Sequence, residues 1–154
     1  MAAIPFWQRL LALLPYLLPW SDGLPFGRSL SHVFPALQWL SLPALPVVLL
    51  QQGVPFGGFV LFLVLYLAVA RNPRVPGFIR FNTLQAILLD IVLVVLSLAF
   101  NVLLAPLGGG FAMRTLANTV FLGVLVLVLF ALVECLRGRE PEIPSLSEAV
   151  RMQL

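Results

Sequence analysis

The sequence predicts an all-α integral membrane protein with four transmembrane helices, an N-terminal interfacial helix and both termini on the cytoplasmic side or its organellar equivalent. Hydrophobic residues make up 61% of the 154 residues, and only 10% are charged. A soluble domain has about 25% charged residues, so this chain has too few polar groups to cover a surface in water. Its charged residues also lie mainly between long apolar runs, where membrane topology puts them.

Residues 1–20 are predicted to form an amphipathic helix in the membrane interface. The stretch is apolar but short, and it contains Pro15 and Pro19. Three aromatic residues typical of the headgroup level would anchor it: Trp7, Tyr16 and Trp20. No small-residue cleavage site follows, so the stretch does not fit a signal peptide. Glycine and proline in residues 21–31 then predict a turn or loop.

Four apolar runs with the length expected of membrane spans follow. They cover residues 33–50, 54–70, 82–104 and 115–136. The first is the least regular, because Pro43 and Pro46 remove backbone hydrogen bonds and should kink a helix. Residues 21–136 therefore form the predicted transmembrane domain.

The arginines predict the orientation. With four spans, eight of the nine lie on the side that holds both termini: Arg9, Arg28, Arg71, Arg74, Arg80, Arg137, Arg139 and Arg151. Only Arg114 lies on the other side, so the positive-inside rule places both termini in the cytoplasm. The same side holds a polar cytoplasmic tail, residues 137–154, in which Ser145 or Ser147 could cap a short helix.

Several classes of function are disfavoured. The arginines form no single basic patch, so nucleic acid is not an expected partner. Cys135 is the only cysteine and His32 the only histidine, which excludes an intramolecular disulfide and a multi-histidine metal site. Only Asp90 and Glu134 are ionisable within the predicted spans, too few for the usual acid–base or metal chemistry. We therefore predict neither an enzyme nor a cofactor, and we interpret Cys135 as a small buried hydrophobic residue.

The third predicted span carries a stripe of polar side chains: Thr83, Asp90, Ser97 and Asn101. Their spacing of seven, seven and four residues places them within about 40° of one another on one helix face. A carboxylate at mid-bilayer costs about 2.5–3.5 kcal/mol, but the many Leu, Ile, Val and Phe residues of this span outweigh that cost. The stripe should therefore face other helices or a hydrated cavity.

Two interpretations of the stripe are open. In the first, it joins helices, and Asp90 is protonated or bonded to a polar neighbour such as Gln38, Ser41, Asn118 or Thr119. In the second, it lines a path for a polar substrate, an ion or a peptide. Arg80, Asn82 and Gln85, where this span begins, could bind lipid phosphate or a partner's backbone, or could anchor the helix at the membrane surface.

Two segments carry a more specific pattern. YLLPWSDGLPFG, residues 16–27, contains a predicted loop motif: Asp22, Gly23 and Gly27. RNPRVPGFIRFNTLQAILLDIV, residues 71–92, contains the run RFNTLQAILLD. Both segments resemble the Tic-twenty family, membrane subunits of the translocon at the inner envelope of chloroplasts with plastid-encoded and cyanobacterial relatives.

The resemblance implies a channel or scaffold component that moves proteins across a membrane. Its expected partners are membrane lipids, other membrane subunits, further copies of itself and a translocating polypeptide. The chain lacks a transit peptide, so we expect a cyanobacterial plasma or thylakoid membrane, or the plastid inner envelope if the chain is plastid-encoded. Two alternatives are a non-conducting assembly protein of a photosynthetic membrane and a small ion or solute transporter.

Overall fold

Two long apolar helices form the centre of the computed structural model, which describes residues 4–108, 110–143 and 146–153. They are α6 (Gly77–Ala99), which continues as a π-helical turn to Leu104, and α7 (Phe111–Leu136). Each is long and apolar enough to cross a membrane. Within the described ranges the regular structure is entirely helical, which confirms the predicted all-α class.

The chain before these helices forms one nearly continuous helical segment, residues 6–33, which we call the N-terminal segment. It consists of α1 (Phe6–Leu13), α2 (Leu17–Gly23) and α3 (Arg28–Val33), joined by 3-10 turns at Leu14–Tyr16 and Leu24–Gly27. The turns contain Pro15 and Pro25, which lack the N–H that an α-helix requires. Residues 21–31, which we predicted to be a loop, are therefore helical.

The N-terminal segment runs lengthwise along both central helices. Near its start, Arg9 Nη1 donates a hydrogen bond of 3.1 Å to the carbonyl of Leu136, the last residue of α7. Near its end, the ring of Phe26 packs edge-on against Phe100, with centroids 5.2 Å apart. It is therefore parallel to α6 and antiparallel to α7, and its inner face is buried in the protein. This differs from the interfacial position that we expected for residues 1–20, of which residues 1–3 lie outside the described ranges.

A bent helix pair, which we call the broken helix, follows the N-terminal segment. Its limbs, Pro35–Gly53 and Gly57–Ala70, are bent by 112° relative to each other. The first limb starts as a 3-10 helix and becomes α4 (Leu45–Gly53), and the second is α5 (Gly57–Val64) with a π-helical end. We predicted two separate spans here. Among the described residues, two helices are long enough to span a membrane, or three if the bent pair counts as one.

The tail folds back onto the start of α6. Its helix α8 (Leu146–Gln153) places the guanidinium of Arg151 5.2 Å from the ring centroid of Phe81. Of the two candidate capping residues, Ser145 lies outside the described ranges. Ser147 lies within α8, and its hydroxyl accepts a hydrogen bond of 2.8 Å from the Ile143 N–H.

Candidate functional site

Asp90 lies at the middle of the span formed by α6 and its π-helical turn. That span has 28 residues, Gly77–Leu104, so 13 precede Asp90 and 14 follow it. Its side chain is only 6% exposed. Asp22, on the N-terminal segment, lines the same cavity as Asp90, so a second carboxyl group lies beside it. We call Asp22 and Asp90 the carboxyl pair, and their oxygens can accept hydrogen bonds from donor groups.

Asp22 reaches the centre of the span because two glycines let the N-terminal segment lie close to α7. A Cβ atom on Gly27 would lie 2.6 Å from the ring of Phe121, and one on Gly23 would lie 3.0 Å from Val124. Residues four apart share a helix face, and this spacing of small residues is typical of close helix packing in membranes. The predicted loop motif is therefore a helix-packing motif.

The break in the broken helix lies beside the carboxyl pair. Gln51, near the end of the first limb, and Gly58, near the start of the second, line the same cavity as the pair. Phe56, between the limbs, has a φ of 54°, which is uncommon for a bulky residue. A Cβ atom on Gly57 would lie 2.6 Å from the backbone of Gln51, so this tight turn requires glycine. The two helix ends bring backbone polar groups to the middle of the molecule.

Two cavities meet at Asp22 and Gln51. The first, which we call the polar cleft, has a volume of about 630 Å³. Its polar lining comes from the N-terminal segment and the first limb: Ser21, Asp22, Arg28, Ser31, His32, Gln38, Ser41, Gln51 and Gln52. The second, the Asp90 chamber, has a volume of about 510 Å³. Apart from Asp22, Gln51 and Asp90, its lining is Gly58, Phe59, Phe62, Ile91, Val94 and Val95.

A second polar cluster lies at the end of the bundle where α6 begins. The hydroxyl of Tyr16 donates to Asn82 Oδ1 over 2.8 Å and accepts from Gln85 Nε2 over 3.0 Å. The Ser147 hydroxyl donates to Gln85 Oε1, and Cys135 Sγ lies 3.2 Å from Asn82 Oδ1. These bonds join the N-terminal segment, both central helices and the tail. We infer a structural role for the cluster.

This burial corrects one interpretation of the residues where the third span begins. Asn82 and Gln85 are fully buried, so they neither meet lipid phosphate nor anchor the helix at the membrane surface. Arg80 Nε donates a hydrogen bond of 3.1 Å to the carbonyl of Ala70, at the end of the broken helix. All three residues thus bind other parts of the same chain.

The structure divides the predicted polar stripe into two halves. Thr83 and Asp90 are buried, whereas Ser97 is half-buried and Asn101 is exposed. Within the described ranges, Thr83 Oγ1 and Asp90 Oδ1 have no hydrogen-bond partner. The neighbours that we considered for Asp90 do not bond to it in this part of the structure: Gln38, Ser41, Asn118 and Thr119.

Sequence reasoning missed Asp22 as the partner of Asp90, because residues 21–31 read as a loop. One signal was available. Asp22 and Asp90 are the only acidic residues before Glu134, and a buried carboxyl group in an apolar protein needs a polar partner.

The chemistry open to this site is hydrogen bonding and proton exchange. The carboxyl pair can accept a hydrogen bond from a donor or exchange a proton with it. Across residues 4–108, 110–143 and 146–153, no three His, Cys, Asp or Glu side chains lie close enough together to hold a metal ion.

Comparison with known proteins gives a consistent result. A family model described as "Chloroplast import apparatus Tic20-like" matches residues 2–150. The chain is 39% identical to a "Tic20 family protein" from Synechocystis sp., over 96% of this chain and 92% of that protein. It is 35% identical to "Protein TIC 20-II, chloroplastic" from Arabidopsis thaliana, over 97% of this chain and 74% of that one. It is 32% identical to "Tic20 family protein Ycf60" from Gracilaria tenuistipitata var. liui, over 96% of this chain and 75% of that one.

Proposed function

The chain belongs to the Tic20 family, and from this premise we propose that it is a membrane-embedded subunit of a protein-translocating assembly. The family is associated with chloroplast protein import, and its members come from cyanobacteria and from plastids. With its long apolar helices, the chain is a membrane protein of a cyanobacterial or plastid membrane.

The polar cleft is the observation that carries the proposal. It runs from Arg28 and His32 to Asp22 and Gln51, beside the middle of the α6 span. A polypeptide that crosses a membrane in an extended form carries backbone groups that hydrocarbon cannot satisfy. Side-chain amides, hydroxyls and charges of the cleft offer the hydrogen bonds that such a backbone needs.

We propose that the chain makes four passes, but with segments that differ from those predicted. They are the N-terminal segment, the broken helix counted once, α6 and α7. The bond between Arg9 and Leu136 supports this arrangement, because it holds the start of the first pass beside the end of the last. Both termini then lie on the side that holds seven of the nine arginines, all except Arg28 and Arg114. The positive-inside rule makes this the cytoplasmic or stromal side.

Within this architecture we propose a scaffold that contributes one wall of a path. The cleft lies between the N-terminal segment and the first limb, beside the central helices. Four helices are too few to surround an extended polypeptide, so further subunits or copies of the chain would complete the path. Their identities would decide which polypeptides pass.

Site-specific photo-crosslinking tests this function. A benzophenone amino acid replaces Gln38 in the cleft, and in a matched variant it replaces Val126, which is exposed on α7. A radiolabelled precursor protein is arrested during translocation into membranes that contain either variant. We expect crosslinks to the precursor from position 38 and none from position 126. Equal crosslinking from both positions, or none from either, would contradict a role of the cleft in translocation.

The broken helix favours a second candidate, a small proton-coupled transporter. Discontinuous helices that break at mid-membrane beside an ionisable group are typical of transporter binding sites. In sealed vesicles, a proton leak or solute uptake that Asp90→Asn abolishes would support this candidate. Vesicles that stay impermeable to protons and solutes would remove it.

A further inference from the structure

We propose that the Asp90 chamber is the docking site for a transmembrane helix of another membrane subunit, and that this helix carries one hydrogen-bond donor side chain at mid-membrane. Asp22 and Gln51 line both cavities, and the chamber lies on the opposite side of these two residues from the polar cleft. The proposal concerns a partner subunit rather than a translocating polypeptide, so it does not depend on the proposed function.

The first argument is the uncovered face of α6. The second limb of the broken helix covers the first half of the α6 span and begins at Gly57, beside the carboxyl pair. Among the residues that the structure describes, no helix therefore covers the chamber side of the second half. Phe59 and Val95, on the chamber wall, are 62% and 59% exposed. A helix laid against this face would extend the bundle where the second limb ends.

The second argument is the unsatisfied carboxyl group. Asp90 lines the chamber at mid-span, and its buried Oδ1 has no partner in the part of the chain that the structure describes. Lipid tails offer no hydrogen-bond donor, and a buried polar group without a partner costs free energy. Asp22 lines the same chamber, so a second carboxyl group with acceptor oxygens lies at this point. Because Asp90 lines the chamber wall, its carboxyl group is the acceptor that a donor from outside this chain would meet.

The remaining lining indicates what kind of molecule carries that donor. Phe62, Ile91 and Val94 make the walls apolar, and Gly58 leaves room for close approach of a backbone. An apolar helix with a single Ser, Thr, Asn or Gln at its centre matches both features. A soluble polar ligand matches neither.

Designed peptides test the inference directly. The probe is a transmembrane helix of Leu and Ala with one central Asn, compared with the same peptide carrying central Leu, both in phosphatidylcholine vesicles. The full-length protein carries a fluorophore at Arg114→Cys in a Cys135→Ser background, and binding is measured by energy transfer to a labelled peptide. An interhelical hydrogen bond contributes about 0.6–1.7 kcal/mol. We therefore expect the Asn peptide to bind about three- to sixteenfold more tightly than the Leu peptide.

Three variants test whether Asp90 causes the preference for the Asn peptide over the Leu peptide. Asp90→Leu should abolish it, whereas Asp90→Asn should keep it, because an amide oxygen still accepts a hydrogen bond. Asn118→Leu is the matched control, since Asn118 also has an unpartnered buried oxygen within the described ranges but does not line the chamber. It should leave the preference unchanged.

Three results would overturn the inference. They are equal binding of both peptides to the unmodified chain, a preference that survives Asp90→Leu, and a preference that disappears in Asn118→Leu. Energy transfer between two labelled copies of the chain that Asp90→Leu abolishes would also overturn it, because the occupant would then be a second copy. If position 38 failed to crosslink to the precursor, the proposed function would fail, but the preference for the Asn peptide would be unaffected.

Discussion

Two groups of buried polar residues differ in how many of their hydrogen-bond donors and acceptors have partners. Around Gln85, donors and acceptors of Tyr16, Asn82 and Ser147 are matched within one chain. Around Asp90, one carboxyl oxygen has no partner among the described residues. Satisfied networks rigidify a protein, whereas an unsatisfied buried group is costly and calls for an explanation. We therefore assign structure to the first group and binding to the second.

Replacing Gln85 by Leu should destabilise the protein. The change leaves the Tyr16 and Ser147 hydroxyls without their shared partner, and unsatisfied buried groups cost about 1–3 kcal/mol each. The measurement is the loss of helical circular dichroism during titration with sodium dodecyl sulfate. Thr119→Ala is the control, because the Thr119 hydroxyl bonds within its own helix, to the Thr115 carbonyl. If Gln85→Leu lost no more stability than Thr119→Ala, the structural role of the cluster around Gln85 would be contradicted.

Acidification should loosen the tail. The hydrogen bond from Arg151 lowers the pKa of Glu142 below its ordinary value. A lowered folded-state pKa means that the contact stabilises the tail at neutral pH and is lost as the pH falls through that lowered pKa. The effect should be small, because both side chains are exposed.

A spin label at Met152→Cys in the Cys135→Ser background reports this loosening. Its mobility should rise between pH 7 and pH 3. In Glu142→Gln the label should already be more mobile at pH 7 and should change less with pH. An identical pH response in both proteins would assign the change to another group.

At the scale of elements, small residues and prolines shape the N-terminal segment. Pro15 and Pro25 interrupt its α-helical hydrogen bonds without ending it, because short 3-10 turns continue the helix through each proline. Gly23 and Gly27 then hold it against α7. A stretch of the sequence that is typical of a loop is therefore part of a core helix, since neighbouring helices stabilise it.

Gly27→Ala should destabilise this packing. The added Cβ would lie 2.6 Å from the Phe121 ring, and overpacking of this kind costs about 1–3 kcal/mol. Gly123→Ala is the matched control, because no described atom outside its own helix backbone lies within 4 Å of its Cβ position. In the same detergent titration the control should be neutral or up to about 1 kcal/mol more stable, since alanine favours helix. Equal effects of the two variants would argue against the close approach.

At the scale of the whole molecule, the direction of the N-terminal segment determines the topology. If residues 6–33 cross the membrane, Arg9 and His32 lie on opposite sides. If residues 1–20 lie in the interface, as the sequence predicted, both lie on one side.

Single cysteines at Arg9, His32, Arg114 and Arg139, each in the Cys135→Ser background, separate these two cases. In sealed vesicles of known orientation, a membrane-impermeant thiol reagent should label positions 9 and 139 from one side. It should label positions 32 and 114 from the other side. Labelling of position 32 from the same side as position 9 would show that the first pass does not cross.

The class of the protein and its two central helices could be predicted from local sequence alone. Long apolar runs and flanking arginines are sufficient for this, because burial in lipid depends on local composition. Periodicity along one helix also identified Asp90 as the polar residue that needs shielding. These features depend on residues that are close together in the chain.

The surroundings of Asp90 depend on contacts between residues that are far apart in the chain. Asp22 is 68 residues away in sequence, and it meets Asp90 because Gly23 and Gly27 let the N-terminal segment approach α7. The bend that joins two predicted spans into one broken helix also depends on contacts between distant parts of the chain. Such contacts follow from how helices pack, and local propensity does not determine them.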